Sequence, residues 1–343
     1  MSRLDDYQSA LLAAQSSVTD PELLHVLDEG GAQFVSFIID HGLGPMWHER
    51  TGRDEFRESR LAAEALFLAQ EQALKDIDSA LESSGIKYAV IKGAATRQLL
   101  YENPALRACH DLDLLVSQED RVRAASALTG AGFSAHPEVR SISRELVLTR
   151  GAVNVDLHWG LLREGRLRAD PTSEMLDRRV RVEGLWMLNP EDTLFALLVH
   201  PAFAKHLAGW DMGLHRVADI LLWLGTRSFD RQRLYAMLDE CGVKTAAWAT
   251  LRWVELLMHL YRVPVVEEML ADLCPGRLRW AWLDHWLRND LSTRTSHRHR
   301  IRLLGFTAFL HDRPSDALRA FAGRRRARRR SSADLAVFQD LST

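Results

Sequence analysis

Apolar positions along the chain change their spacing twice, and the changes mark out three zones. In residues 1–84 the spacing is helical. Ser2–Ser16 carries apolar residues at the interval of a helix face, and Pro21 suits the first turn of a second helix, where its missing N–H costs nothing. Asp54–Ser84 is long and rich in Ala, Leu and Glu, and Gly85 marks its stop. In residues 85–189 the texture shifts. Tyr88–Ile91, Leu112–Val116 and Val153–His158 read as short strands, with helical stretches at Ala94–Leu100 and Gln118–Gly130 between them. Strands alternating with helices predict a mixed α/β sheet. Residues 190–322 return to helical spacing, opening at Pro190 with Asn189 as the N-cap. Residues 323–343 form a basic tail. The expected fold class is α+β, with a small mixed β-sheet core, a helical N-terminal segment and a helical C-terminal domain.

Composition narrows the chemistry. Hydrophobic residues make up 47% of the 343, enough for a sizeable core. The formal net charge is −2, from 44 basic and 46 acidic residues, so no global field draws the chain to nucleic acid or membrane. Six arginines between Arg324 and Arg330 are the local exception, read either as a contact for RNA or an acidic partner or as a solvated helix end. The three cysteines, Cys109, Cys241 and Cys274, are far apart and without a CxxC. That spacing argues against a disulfide framework and a structural zinc site, and suits the cytoplasm. The first residues carry acids and no uninterrupted apolar stretch, which reads as no signal peptide, and no apolar run is long enough to span a bilayer.

The densest chemistry lies in His110-Asp-Leu-Asp-Leu-Leu-Val116. On a strand, Asp111 and Asp113 point to one face and Leu112 and Leu114 to the other. Neighbouring carboxylates repel, and a cation between them removes that cost. Hard oxygen ligands favour Mg²⁺ or Mn²⁺ over zinc. A third acid, Asp156, stands in Val153-Asn-Val-Asp-Leu-His158, where alternation puts it on the polar face with Asn154 and His158. If the two strands pair, three carboxylates converge on one metal site of the kind used for nucleotidyl transfer. The plainer reading of an Asp-x-Asp is a solvated turn or an arginine partner.

Upstream, a strand runs through Ile91-Lys92-Gly93 into a helix. Gly93 lets a phosphate approach the backbone, the helix N-terminus offers free N–H groups, and Lys92 adds a point charge. The plain alternative is a simple strand-to-helix turn. Arg97 and Arg107 can clamp phosphate through their planar forks. Arg97 reads equally as a solvent-facing helix residue, and Arg107 as the partner of a carboxylate. His158 can orient the acceptor, or be a hydrogen-bonded histidine beside Trp159. His200 and His206 lie six apart, not at the spacing of a zinc helix, and can face the acceptor or fill ordinary core positions. Arg216 and Asp219, three apart, read as a structural ion pair.

Together, strand–Gly–helix, Asp-x-Asp and a later strand aspartate resemble the DNA polymerase β-like nucleotidyltransferase superfamily. Ile91-Lys-Gly93, Arg107, Asp111-Leu-Asp-Leu-Leu-Val116, Val155-Asp-Leu-His-Trp159, His200, His206 and Asp219 look more closely like bacterial nucleotidyltransferases found beside peptide natural-product clusters. The resemblance spans about residues 85–225. It implies a nucleotidyltransferase core at 85–189, with Asp111, Asp113 and Asp156 catalytic and metal-binding, and Lys92, Gly93, Ala94, Arg97 and Arg107 on the nucleotide. It also implies Mg²⁺ or Mn²⁺, ATP or another NTP as substrate, and a hydroxyl acceptor that is a small molecule, peptide or protein, with nucleic acid disfavoured by the charge. Two departures stand out. Ala94 replaces the usual Ser or Gly, and the spacing from Gly93 to Asp111 is longer than usual. The competing reading is a degenerate nucleotide-binding or scaffold module without turnover.

Overall fold

In a computed structural model of the chain, the described residues are 3–15, 17–136, 144–205, 207, 213–258, 263–288 and 300–323. His206 and the Arg324–Arg330 run lie outside them. The architecture is α+β: a mixed seven-stranded sheet wrapped by helices.

Helices α1 (Arg3–Ala10), α2 (Asp20–Asp40), α3 (Gly44–Thr51) and α4 (Arg57–Ser83) precede the first strand. The sequence explains their ends. Thr19 and Glu22 cap α2 reciprocally, the Thr19 backbone N–H donating to the Glu22 carboxylate at 2.7 Å, with Pro21 in the first turn. At the end of α4, Gly85 turns left-handed (φ 64°), while the Gly85 and Ile86 N–H groups donate to the Glu82 and Leu81 carbonyls at 2.9 and 3.0 Å. That double bond closes the helix with a glycine that bears no Cβ penalty.

The sheet comprises β1 (Tyr88–Ile91), β2 (Asp111–Val116), β3 (Ser134–Ala135), β4 (Glu145–Arg150), β5 (Val153–His158), β6 (Val180–Val182) and β7 (Leu185–Met187), in the order β3-β4-β5-β2-β1-β7-β6. Helices α5 (Lys92–Leu100), α6 (Arg121–Gly130) and α7 (Thr172–Asp177) lie between strands. The three strands expected from the sequence are the central ones. The pairs β1/β2 and β4/β5 are antiparallel, and β2/β5 and β1/β7 are parallel. Strands β3, β4, β6 and β7 were not expected. Two of them have only three residues and one has two, too short for alternation to declare itself, and β7 joins the sheet through β1, almost a hundred residues away.

Beyond the sheet come α8 (Pro190–Ala204), α9 (Leu214–Thr226), α10 (Arg231–Cys241), α11 (Lys244–Leu257), α12 (Pro264–Asp272), α13 (Arg277–Arg288) and α14 (Arg300–Phe309). Asn189 caps α8, its Oδ1 accepting from the Asp192 N–H at 2.9 Å. Among the described residues no helix is long and apolar enough to cross a membrane.

Two apolar cores divide the molecule, and the period of two in the strands decides the division. Tyr88 and Val90 of β1, Leu112, Leu114 and Val116 of β2, and Val153, Val155 and Leu157 of β5 point into a core shared with α4 and α6. Ala89, Ile91 and Leu115 point the other way, into a core built by α2, α3 and the C-terminal helices. The N-terminal helices therefore share a core with the C-terminal ones; the Gln8 side-chain amide donates to the Leu256 carbonyl at 3.1 Å. The sheet is covered on both faces, and the face carrying Asp111 and Asp113 looks toward α8 and α9.

Candidate active site

Register brings the acids together. Parallel pairing of β2 with β5 sets Asp113 opposite Asp156 and Asp111 opposite Asn154. Antiparallel pairing of β4 with β5 sets Glu145 opposite His158. Asp113 is 5% exposed, His158 5%, and Asp156 half-buried. One ligand atom from each of Asp113, Asp156 and His158 lies within 4.8 Å of the others, a group able to hold a metal ion. His158 joins two of the three expected acids in this group, and the third, Asp111, lines the cleft beside Asp113. Asp111 lies two residues before Asp113 on the same face of β2. His158 swings to the Asp113 side through its hydrogen bond.

Lys92 dominates the local field. Its Nζ donates to Asp113 Oδ1 at 2.6 Å and stands 3.0 Å from His158 Nε2, which is itself 2.7 Å from the same Oδ1. Burial alone would push the Asp113 carboxyl up. The Lys92 ammonium and the His158 hydrogen bond outweigh it and hold Asp113 well below the usual carboxylate range. Asp156 has the opposite balance. Burial, then the charge of Asp113, raise it to about 6; His158 offsets part of this, and Asp111 and Glu145 add to it. The donor set of two carboxylates and an imidazole, with one carboxylate straining against its neighbours, fits a divalent cation.

A cleft of about 640 Å³, counted out to its open side, reaches this group at Asp113. Lys92, Gly93, Arg107, Asp111 and Asp113 line one wall; Thr193, His200 and Pro201 of α8 and Arg216 of α9 line the other. Lys92 holds a left-handed backbone (φ 54°), rare for a residue with a side chain, and that turn directs β1 into α5. Gly93 is needed for another reason. A Cβ there would stand 2.9 Å from Arg107 Nη1 and 3.0 Å from Cys109 Sγ. The conformational strain thus falls on Lys92, and the space requirement on Gly93.

Arg107 lies in the cleft wall and is committed to Asp219. Its Nη2 donates to Asp219 Oδ2 at 2.7 Å and its Nη1 to the Ala108 carbonyl at 2.7 Å. Burial would lower the guanidinium, but Asp219 overrides it and holds it above its ordinary value. Tyr101 and Thr96 also donate to Asp219, at 2.9 and 3.2 Å. The expected partner of Arg216, Asp219, is held by Arg107, and Arg216 lines the cleft. Burial, and then Arg107, lower the Arg216 guanidinium. His200 is driven well below the ordinary histidine value by burial first and Lys92 second, so it faces the cleft as a neutral imidazole.

Arg97 and Ala94 stand away from the lining. Arg97 is 1% exposed, donates to Gln70 Oε1 at 2.6 Å and lies over the Phe67 ring, so α4 claims it. The solvent-facing position does not describe it. Ala94 is packed into the core behind α5. Sequence reasoning missed Glu145, whose carboxylate is 3.7 Å from His158 Nδ1, and Thr193. The alternation of Glu-Leu-Val-Leu-Thr-Arg at 145–150 could have revealed β4; nothing local could have revealed Thr193.

Residues 40–259 match the family described as uncharacterised nucleotidyltransferase, well over half of the chain, and the protein belongs to that family. No curated protein and no solved structure matches the chain.

Proposed function

We propose that this protein is a Mg²⁺- or Mn²⁺-dependent nucleotidyltransferase of the DNA polymerase β-like kind. It transfers a nucleoside monophosphate, AMP from ATP in the first instance, to a hydroxyl group and releases pyrophosphate. The observation that carries this reading is the pairing of Asp113 with Asp156 on adjacent parallel strands beneath a cleft walled by Lys92, Gly93, Arg107 and Arg216.

Asp113, Asp156 and His158 would hold the cation, with Asp111 a further carboxylate in the same cleft. A bound divalent cation would neutralise triphosphate charge and acidify the attacking hydroxyl. The cationic wall then orients the triphosphate, and Arg107, braced by Asp219, gives that wall a fixed edge. The acceptor oxygen attacks the α-phosphorus, the bond to the bridging oxygen breaks, and pyrophosphate leaves with its electron pair. The acceptor's proton passes to the Asp156 carboxylate. His200 and Thr193, on the helical wall, present neutral hydrogen-bonding groups to the acceptor.

Small molecules, peptides and protein side chains are the acceptor classes, and the resemblance to nucleotidyltransferases beside peptide natural-product clusters puts peptides first. The test is pyrophosphate release from labelled NTPs with Mg²⁺ or Mn²⁺ against acceptor pools, with mass spectrometry for the added nucleotide. Release that disappears in Asp113→Asn and Asp156→Asn proteins that still fold supports the enzyme. Nucleotide binding with no transfer to any acceptor class would instead make this a nucleotide-binding module, the reading that Ala94 favours by supplying no hydroxyl beside Gly93.

A further inference from the structure

We infer that Lys92 is a built-in counter-ion of the cation site, which a divalent cation displaces only as an anionic polyphosphate in the cleft draws the ammonium away. The inference rests on the metal site proposed above and adds a coupling between metal and polyphosphate that the site's chemistry alone does not require.

Three observations carry it. The first is a conflict of position. Lys92 Nζ stands 2.6 Å from Asp113 Oδ1 and 3.0 Å from His158 Nε2, two of the three ligand groups. A cation on those atoms and the ammonium beside them would be like charges at contact distance, so one must leave.

The second is an available destination. Lys92 also lines the cleft, and its side chain is 22% exposed against 7% for Asp113, so the ammonium can turn outward while the carboxylate stays. What it would meet there, beside Gly93, Arg107 and Arg216, is whatever anion the cleft collects. A polyphosphate is the chemistry that fits a lysine and two arginines facing one cleft.

The third is the backbone. Lys92 has φ 54° where glycine would sit without cost. That left-handed turn between β1 and α5 starts the Lys92 side chain at the floor of the cleft, from which its ammonium reaches Asp113.

The consequence is reciprocal coupling. Polyphosphate, by removing Lys92 from Asp113, tightens the metal, and metal tightens polyphosphate by the same factor.

Mn²⁺ itself is the probe. Its binding is measured by electron paramagnetic resonance of the free ion, with thermal unfolding with and without Mn²⁺ as a second readout. The proteins are wild type, Lys92→Met, Lys92→Gln and, as a control for the general loss of one positive charge from the cleft, Arg216→Met. Lys92→Met should bind Mn²⁺ at least about tenfold more tightly than wild type, while Arg216→Met gains less than about threefold, tenfold being about 1.4 kcal/mol. Without Mn²⁺ the Lys92→Met protein should melt below wild type, because Asp113 is left buried without a counter-charge, and Mn²⁺ should restore it. Lys92→Gln keeps a polar stem and gives the same test if the Met protein does not fold.

A wild type that binds Mn²⁺ alongside Lys92 variants that bind it no better overturns the inference and leaves the metal site standing. So does a gain matched by Arg216→Met. If neither wild type nor the Lys92 variants bind Mn²⁺ and no melting curve moves, the metal site falls, and this inference with it.

Discussion

Arg107 and Asp219, 112 positions apart, meet in a buried ion pair that ties the sheet core to helix α9. Asp219 is 1% exposed and Arg107 6%, so neither charge can turn to water if the other is lost. Breaking such a pair from one side leaves an uncompensated buried charge and costs about 3–5 kcal/mol. Asp219→Ala should lose stability on that scale in urea unfolding. The Arg107→Met/Asp219→Leu double substitution should lose much less than the sum of its single changes. Additive losses would show that the pair does not act as a unit.

Asp113→Asn and Asp156→Asn should each lower turnover by at least about 100-fold, the scale for removing one preorganised charge from a reacting centre. Their effects on stability should differ. Asp113 is the partner of Lys92, so its amide leaves an ammonium unpaired and the protein less stable. Asp156 lies in the repulsive field of Asp113, to which Asp111 and Glu145 add, and its amide relieves that repulsion. Melting temperatures of the two variants should therefore move in opposite directions.

The pH dependence follows from Asp156. Its folded carboxyl binds a proton more tightly than the unfolded one, at about 6 against 3.8, so between those values the folded state carries the extra proton. Stability from this group is fully present below pH 3.8 and is lost as pH rises through about 6. The loss is at most about 3 kcal/mol, at about 1.4 kcal/mol for each tenfold change in proton affinity. Urea unfolding of wild type and Asp156→Asn between pH 4 and 7 should show the slope in the first and not in the second. Mn²⁺ should flatten it by replacing the proton.

Gly93→Ala should disturb the wall of the cleft. The added Cβ would stand 2.9 Å from Arg107 Nη1, which is itself held by the Ala108 carbonyl at 2.7 Å, so the guanidinium has little room to yield. Overpacking of this kind costs about 1–3 kcal/mol. Lower stability together with weaker nucleotide binding, by fluorescence titration of a labelled NTP, is the expected outcome. A variant with unchanged melting and unchanged binding would show that Arg107 can move aside.

Local physics was legible in the sequence because it acts over a few residues. Alternation in Val153–His158 separated the core side chains from Asp156, and the Asp-x-Asp spacing put two acids on one face of β2. Pro21, Gly85 and Asn189 marked helix ends through preferences that act over one turn, while the Thr19–Glu22 capping box went unread. Partner choice was not legible, because it depends on which distant segments pack together. Nothing near Arg107 announces Asp219, and nothing near Lys92 announces that its ammonium rests on Asp113. Arg97, a surface or phosphate-binding residue by its position in a short helix, is buried because α4 crosses above it.

The amino-acid sequence by itself determined the three central strands, the helical zones on either side, the faces those strands present and the acids available for a metal site. Hydrogen bonding and side-chain period are properties of contiguous chain. Only the tertiary structure decided that His158 comes within reach of Asp113 and Asp156, that Asp111 and Arg216 line the cleft, and that Arg107 takes Asp219. Electrostatic partners inside a protein are chosen by distance and burial, and both are set by strand register and helix packing across more than a hundred residues.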